Sequence, residues 1–202
     1  AMNLVLLLAT FICCVLGTTV NAQQRYLDPI FDDVTVTTNV MYGVNATVIT
    51  YNVPAIGEAV PQPLMMDVYT PTNDTETDRP VYLLFHTDNF LPFPDNGGTG
   101  GTKEDSVLVE ICTDLAKRGF VAAAVSYRSG WNPLALTQDQ RVFGLINAAY
   151  RGIQDTRTAV RYMRLSADQL GNPYGINPEK IGVWGDGAGG YLTLNTTALD
   201  AY

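Results

Sequence analysis

Apolar and polar positions along the chain change period several times, and each change marks an element. Val81 to Phe85 and Val121 to Val125 are unbroken apolar runs of strand length, the pattern of strands covered on both faces. Between them Val107, Val109, Ile111, Leu115 and Ala116 recur at roughly helical spacing within Glu104 to Arg118, and Gly119 offers a C-cap, so a helix is predicted there. Lys180 to Trp184, bounded by Asn177-Pro178-Glu179, reads as a further short buried strand. The stretch 188–201 contains no proline and carries Leu192, Leu194 and Leu199 among small residues, which predicts a helix packed on a sheet. Val34 to Val40 and Thr47 to Asn52 are β-rich with partial alternation, and are predicted to pair antiparallel at a sheet edge. Strands alternating with helices imply an α/β fold: a mostly parallel sheet with helices on both faces.

Composition narrows the class. With 47% hydrophobic and 16% charged residues the chain is globular, and about 180 residues after the leader described next suffice for one core. The net charge of −8 argues against nucleic-acid or anionic-membrane partners. Leu4 to Gly17 is almost wholly apolar and Val20-Asn21-Ala22 precedes Gln23, so residues 1–22 read as a secretory signal peptide and 23–202 as part of a single domain. The apolar stretch is short for a membrane span. The expected location is secreted, periplasmic or extracellular. Without the leader Cys112 is the sole thiol; it falls on the predicted first helix and reads as a buried core residue. Asn45-Ala46-Thr47, Asn73-Asp74-Thr75 and Asn195-Thr196-Thr197 are glycosylation sequons that matter only in a eukaryotic host.

The chemistry concentrates at Gly185-Asp186-Gly187-Ala188-Gly189, which has the frame of a nucleophile elbow, G-x-S-x-G, with glycine in place of the attacking serine. The turn needs small residues two before and two after its apex, and Gly185 and Gly189 satisfy this only if the apex is residue 187. A register with Asp186 as nucleophile puts Trp184 at a crowded position and is excluded. Glycine accepts the positive φ of the apex, so Gly187 keeps the turn and removes the hydroxyl. Gly97 to Lys103 imitates a phosphate loop, but Thr102 and Glu104 flank Lys103 where Walker A needs glycine and a hydroxyl residue; a flexible loop near the site entrance is expected instead. No metal-ligand cluster and no cofactor motif occur. Asp155 with Arg157, Arg161 and Arg164 reads as a solvated, salt-bridged helix face.

Order and spacing of further blocks carry a resemblance. Leu64-Met65-Met66-Asp67-Val68-Tyr69, Arg79-Pro80-Val81-Tyr82-Leu83-Leu84-Phe85-His86, residues 119–128, Asp155-Thr156-Arg157-Thr158-Ala159-Val160-Arg161-Tyr162 and Gly185 to Gly190 together resemble the first half of an α/β-hydrolase of the esterase/lipase branch, near the hormone-sensitive-lipase-like and type-B carboxylesterase groups. Such proteins usually show G-D-S-A-G-G at the last block. The resemblance implies that backbone N–H groups of Thr87, Asp88 and Ala188 form the oxyanion hole. His86 lies in a loop that normally reads His-Gly-Gly in such proteins, and it is read as bracing that loop by hydrogen bonding, with general-base catalysis as its other reading. Here both glycines are replaced, and two readings of Asp88 stand: its carboxylate repels an oxyanion, or it turns outward and only its N–H matters. The triad's acid and histidine would follow the nucleophile, yet thirteen residues follow Gly189 and the sole histidine is His86. The fold therefore looks truncated after about the fifth core strand, leaving that strand as an apolar edge. Phe90 to Pro94 with Trp131 would line a substrate pocket beside the oxyanion loop, or pack the loop.

Two functions from different classes follow. One is a secreted carboxylic-ester hydrolase-like protein, inactive as written because serine, acid and histidine are missing; restoring serine at 187 is its direct test. The other is a non-catalytic hydrolase-fold protein that binds a ligand or assembles. Expected partners are a small ester substrate or ligand, and either a second copy or a missing C-terminal half pairing at the exposed sheet edge.

Overall fold

The computed structural model describes residues 24–46, 60–91, 95–97 and 100–198. Its elements in chain order are β1 (Val34–Ala46), β2 (Pro61–Pro71), β3 (Arg79–Phe85), α1 (Ser106–Lys117), β4 (Val121–Val125), α2 (Gln138–Asp168), β5 (Ile176–Gly185) and α3 (Ala188–Ala198). The five strands form one sheet in the order β1-β2-β4-β3-β5. The sheet is mixed: β3 runs parallel to β4 and β5, while β2 is antiparallel to both β1 and β4. The parallel half is the one that carries the predicted chemistry.

Period-two alternation sorts the strands between two cores. Val81, Leu83 and Phe85 of β3 and Val121, Ala123 and Val125 of β4 face a large cluster with Ala148, Ile153, Ala159 and Met163 of α2 and Leu192 of α3. Leu84, Ala122 and Ala124 face the opposite side, where Leu108, Cys112 and Ala116 of α1 cover them. Every residue of β4 is buried, which is why its run reads as continuously apolar. Cys112 is free and fully buried, and burial pushes its thiol upward, as a core thiol requires.

One expectation is met in its described half, since β1 is an antiparallel strand at the end of the sheet order, and one needs correction. β1 pairs with β2, from Val34 opposite Pro71 to Ala46 opposite Pro61; residues 47–52 lie outside the described residues. Prolines at 61, 63 and 71 disguised β2, but they sit towards its ends, where a missing donor costs least. Asp155 is not on a solvated face: it is fully buried and grips the buried Arg128, with Nη2 to Oδ1 at 2.8 Å and Nε to Oδ2 at 2.8 Å. The same guanidinium donates to the Ala46 carbonyl, so one two-pronged pair ties α2, the end of β4 and β1. The expected leader lies outside the described residues. No helix among the described residues is long and apolar enough to cross a membrane.

Candidate functional site

β5 delivers the chain to Gly185, and α3 begins at Ala188, so residues 185–189 form a strand-to-helix turn. Its backbone is pressed against the neighbouring strand's exit. A side chain at Gly189 would place Cβ 2.1 Å from the Phe85 carbonyl oxygen and 2.8 Å from that of His86; one at Gly185 would lie 2.3 Å from the Gly189 carbonyl carbon. Both glycines are demanded by close backbone approach. Gly187 stands at φ +53, the left-handed conformation expected of an elbow's apex. The first N–H groups of α3, that of Ala188 among them, have no intrahelical acceptor, and the first intrahelical bond runs from Tyr191 N to the Gly187 carbonyl at 3.1 Å.

The loop after β3 lies directly opposite. Thr87 is exposed, and its Oγ1 stands 2.1 Å from where a Cβ of residue 187 would be. The structure therefore brings Thr87, Gly187 and Ala188 together at one junction. A cavity of about 160 Å³ opens here, lined among others by Thr87, Gly100, Asp105 and Asp186. Asp105 closes the glycine-rich segment on this side, accepting from Gly101 N at 2.8 Å and Thr102 N at 3.2 Å; Gly98 and Thr99 lie outside the described residues. A larger cleft of about 330 Å³ is lined by Arg157, Arg161 and Arg164 with Ile181 and Val183. None of the sequence-predicted site residues lines it.

Asp88 follows neither expectation. Its carboxylate turns into the protein, 3% exposed, where Oδ1 accepts from Phe90 N at 2.7 Å and from the Tyr127 hydroxyl at 2.8 Å, and Oδ2 accepts from the Ser129 hydroxyl. Burial raises its carboxyl against the downward pull of these three donors. The physical reason is local. Asn89 and Phe90 both adopt positive φ, +54 and +56, which is costly for residues with side chains, and an acceptor two residues upstream holds that conformation as an Asx turn. The Asp88 side chain thus shapes the loop and is committed elsewhere than the cavity.

His86 also departs from its expected role. Neither imidazole nitrogen has a hydrogen-bond partner, so the ring does not brace the loop by hydrogen bonding. It stacks on Tyr127 at 4.3 Å between centroids, and its carbonyl accepts from the Tyr127 hydroxyl at 2.9 Å. Burial, with 1% of the residue exposed, pushes the imidazole down to about 4, which keeps it neutral. Phe90 is packed in the core, edge-on to Tyr127 and Tyr191. Trp131 is half-buried against the same cluster and donates Nε1–H to the Asn89 carbonyl at 3.1 Å. Residues 92–94, the rest of the expected pocket wall, lie outside the described residues.

Sequence reasoning missed Tyr127 and Ser129. The signal was available: hydroxyl residues follow directly on the buried run of β4, at the sheet end where β3 also exits. A tyrosine there had to place its O–H on an internal acceptor. Among the described residues no group of histidine, cysteine and acidic side chains could hold a metal ion.

Comparison with known proteins gives one family: the BD-FAE model matches residues 66–201. No curated protein matches the chain. Among solved structures it is similar to a bacterial heroin esterase, 24% identical with a TM-score of 0.49, covering 94% of this chain and 44% of that one. A hyperthermophilic esterase from the archaeon Pyrobaculum calidifontis is 22% identical with a TM-score of 0.46, covering 83% and 39%. Brefeldin A esterase, described as a bacterial homologue of human hormone-sensitive lipase, is 20% identical with a TM-score of 0.47, covering 83% and 36%. The chain spans about two fifths of the length of these structures.

Proposed function

Because the chain belongs to the BD-FAE family of α/β-hydrolase esterases, we propose that its site descends from carboxylic-ester hydrolysis and now binds an ester-like ligand without turning it over. The observation that carries this is the apex itself. Residue 187 has the turn, the φ and the helix N-terminus of a nucleophile position, and no side chain. Acyl transfer by this fold needs a hydroxyl, a base within about 3 Å of it, and donors for the developing oxyanion. Thr87, Asp88 and Ala188 keep backbone N–H groups for the third. The sole imidazole in these residues is buried, neutral and bound to no hydroxyl. A secreted location is part of the reading and is supported by the apolar run at 4–17 and the small residues before Gln23.

Assay of the chain with short-chain aryl acetates and with a fluorophosphonate probe tests this. Hydrolysis at the buffer rate and no covalent label are expected, with the acetate product still shifting backbone amide signals around 87, 88 and 188. Turnover that is lost on Thr87→Val would overturn it.

A second reading, assembly, has its own observation. β5 ends the sheet order, and the start of α2 exposes Val142, Phe143 and Ile146 beside Leu134 and Leu136, an apolar surface of the kind that marks interfaces. A particle larger than a monomer in light scattering is its expected result; a monomer at tens of micromolar would sink it.

A further inference from the structure

We infer that Thr87 and Gly187 exclude one another: the Thr87 side chain fills the space that any side chain at the apex would need, so the lost nucleophile and the altered oxyanion loop are one change. This rests on residue 187 being the elbow's apex, as read above, and adds the residue that keeps the apex empty.

The three heavy atoms nearest to an ideal Cβ at 187 all belong to Thr87: Oγ1 at 2.1 Å, Cβ at 2.8 Å and Cα at 3.9 Å. Rotating the threonine about χ1 moves Oγ1, but a β-branched side chain carries two heavy atoms on Cβ and vacates only one staggered position in three. The contact to Thr87 Cβ does not depend on χ1 at all. Two carbons at 2.8 Å lie well inside the roughly 3.5–4.0 Å optimum of a non-bonded pair, so a side chain at 187 requires backbone movement.

Neither backbone can retreat. On one side Gly189 is pressed on the Phe85 and His86 carbonyl oxygens, with its own ideal Cβ at 2.1 and 2.8 Å. On the other, the loop is pinned through Asp88 by Tyr127 and Ser129 and through the His86 carbonyl by Tyr127. The three elbow glycines thus differ in kind. Gly185 and Gly189 meet backbone and are required by the fold, whereas Gly187 meets a replaceable side chain. Removing that side chain down to Cα leaves the nearest Thr87 atom at 3.9 Å, an ordinary contact, so that what remains against a side chain at 187 is the left-handed φ of +53. Truncation to alanine keeps the Cβ and the collision.

Thermal melts of the full chain carrying Gly187→Ser, Thr87→Gly, Thr87→Ala and the two double variants test this. Gly187→Ser alone is expected to lower Tm by about 5–10 °C, the size of overpacking in a domain of this length. In the Thr87→Gly background the same substitution should cost under half of that, and in the Thr87→Ala background most of it. If Gly187→Ser alone does not fold, recovery of a cooperative melt in Thr87→Gly/Gly187→Ser supports the exclusion. Failure of that double variant, while Thr87→Gly folds, overturns it, as does equal loss in all three backgrounds. The readout is stability alone, so an additive cycle would remove the exclusion whatever the ester assay shows, and unexpected turnover would leave the cycle standing.

Discussion

The elbow at 185–189 and the loop at 86–90 face each other across one junction, and they are held in opposite ways. The elbow is shaped by backbone against backbone, with the side chains of Gly185 and Gly189 forbidden by carbonyl groups less than 3 Å away. The loop is shaped by side chains: the Asp88 carboxylate, the Tyr127 and Ser129 hydroxyls, the Phe90 ring and the Trp131 indole. A surface made of backbone tolerates almost no substitution, while one made of side chains can be rewritten if the new set satisfies itself. In this chain the turn after β5 is of the first kind and the loop after β3 of the second.

The largest expected effect breaks the elbow. Gly189→Ala must push the Phe85 and His86 carbonyl oxygens aside, and both belong to the exit of β3, an interior strand held between β4 and β5. Backbone overpacking at two points exceeds the usual range of about 1–3 kcal/mol for a tight core. No cooperative melt, or a Tm more than about 10 °C lower, is expected from circular dichroism. A melt within a few degrees of the parent would show that the elbow is no more rigid than the loop.

Next is the histidine beneath the loop. Burial holds His86 neutral down to about pH 4, against an ordinary value of 6.5. The unfolded chain takes up a proton between those values that the folded chain refuses, so stability is full above pH 6.5 and falls as pH drops towards about 4. At about 1.36 kcal/mol per pH unit the loss is roughly 3 kcal/mol. Asp88 acts with the opposite sign, since its raised carboxyl makes the folded state bind a proton more readily, and this returns part of the loss at the acid end. Because His86 is the chain's one histidine, its Cε1–H signal reports the site directly. Titration near 6.5 would show that the loop opens to water and is not packed as described.

Legibility in the sequence divides along the same line. Strand runs at 81–85 and 121–125, the α1 pattern and the elbow's glycine spacing were all readable, because burial and close backbone approach leave periodic or glycine signatures. The partners of Asp88 were not, because Tyr127 and Ser129 lie about 40 residues away and a hydroxyl finds its acceptor through the fold alone. Asp155 misled for a related reason. Its neighbours in sequence are arginines on the same helix, whereas the guanidinium it binds is Arg128, at the end of β4.

A middle-sized effect sharpens the claim that the loop is built from side chains. Asp88→Ala leaves the buried Phe90 N–H without its acceptor, removes one of the two acceptors that share the Tyr127 hydroxyl, and releases the Ser129 hydroxyl. Stranded buried donors cost about 1–3 kcal/mol each, reduced where a hydroxyl turns to another acceptor. Tyr127 retains the His86 carbonyl, so a net loss of about 2 kcal/mol is expected from urea titration, and Asp88→Asn, which keeps an acceptor oxygen, should lose about half as much. Equal losses for the two variants would place the effect in charge and not in the Asx turn.

The smallest effect tests where the loop ends. Trp131 holds the Asn89 carbonyl through one hydrogen bond at a site open to water, so a solvent molecule can replace the indole N–H, and Trp131→Phe should cost under about 1 kcal/mol. Yet Asn89 and Phe90 sit in the left-handed region, and every restraint on that pair sets how often the loop leaves it. Amide exchange at 88–91 should therefore quicken severalfold in Trp131→Phe while exchange in β3 and β4 stays unchanged, because a loop held by separable side chains loosens piece by piece. Faster exchange extending into the strands would mean that loop and sheet open as one unit, and the contrast between a fixed elbow and a rewritable loop would fail.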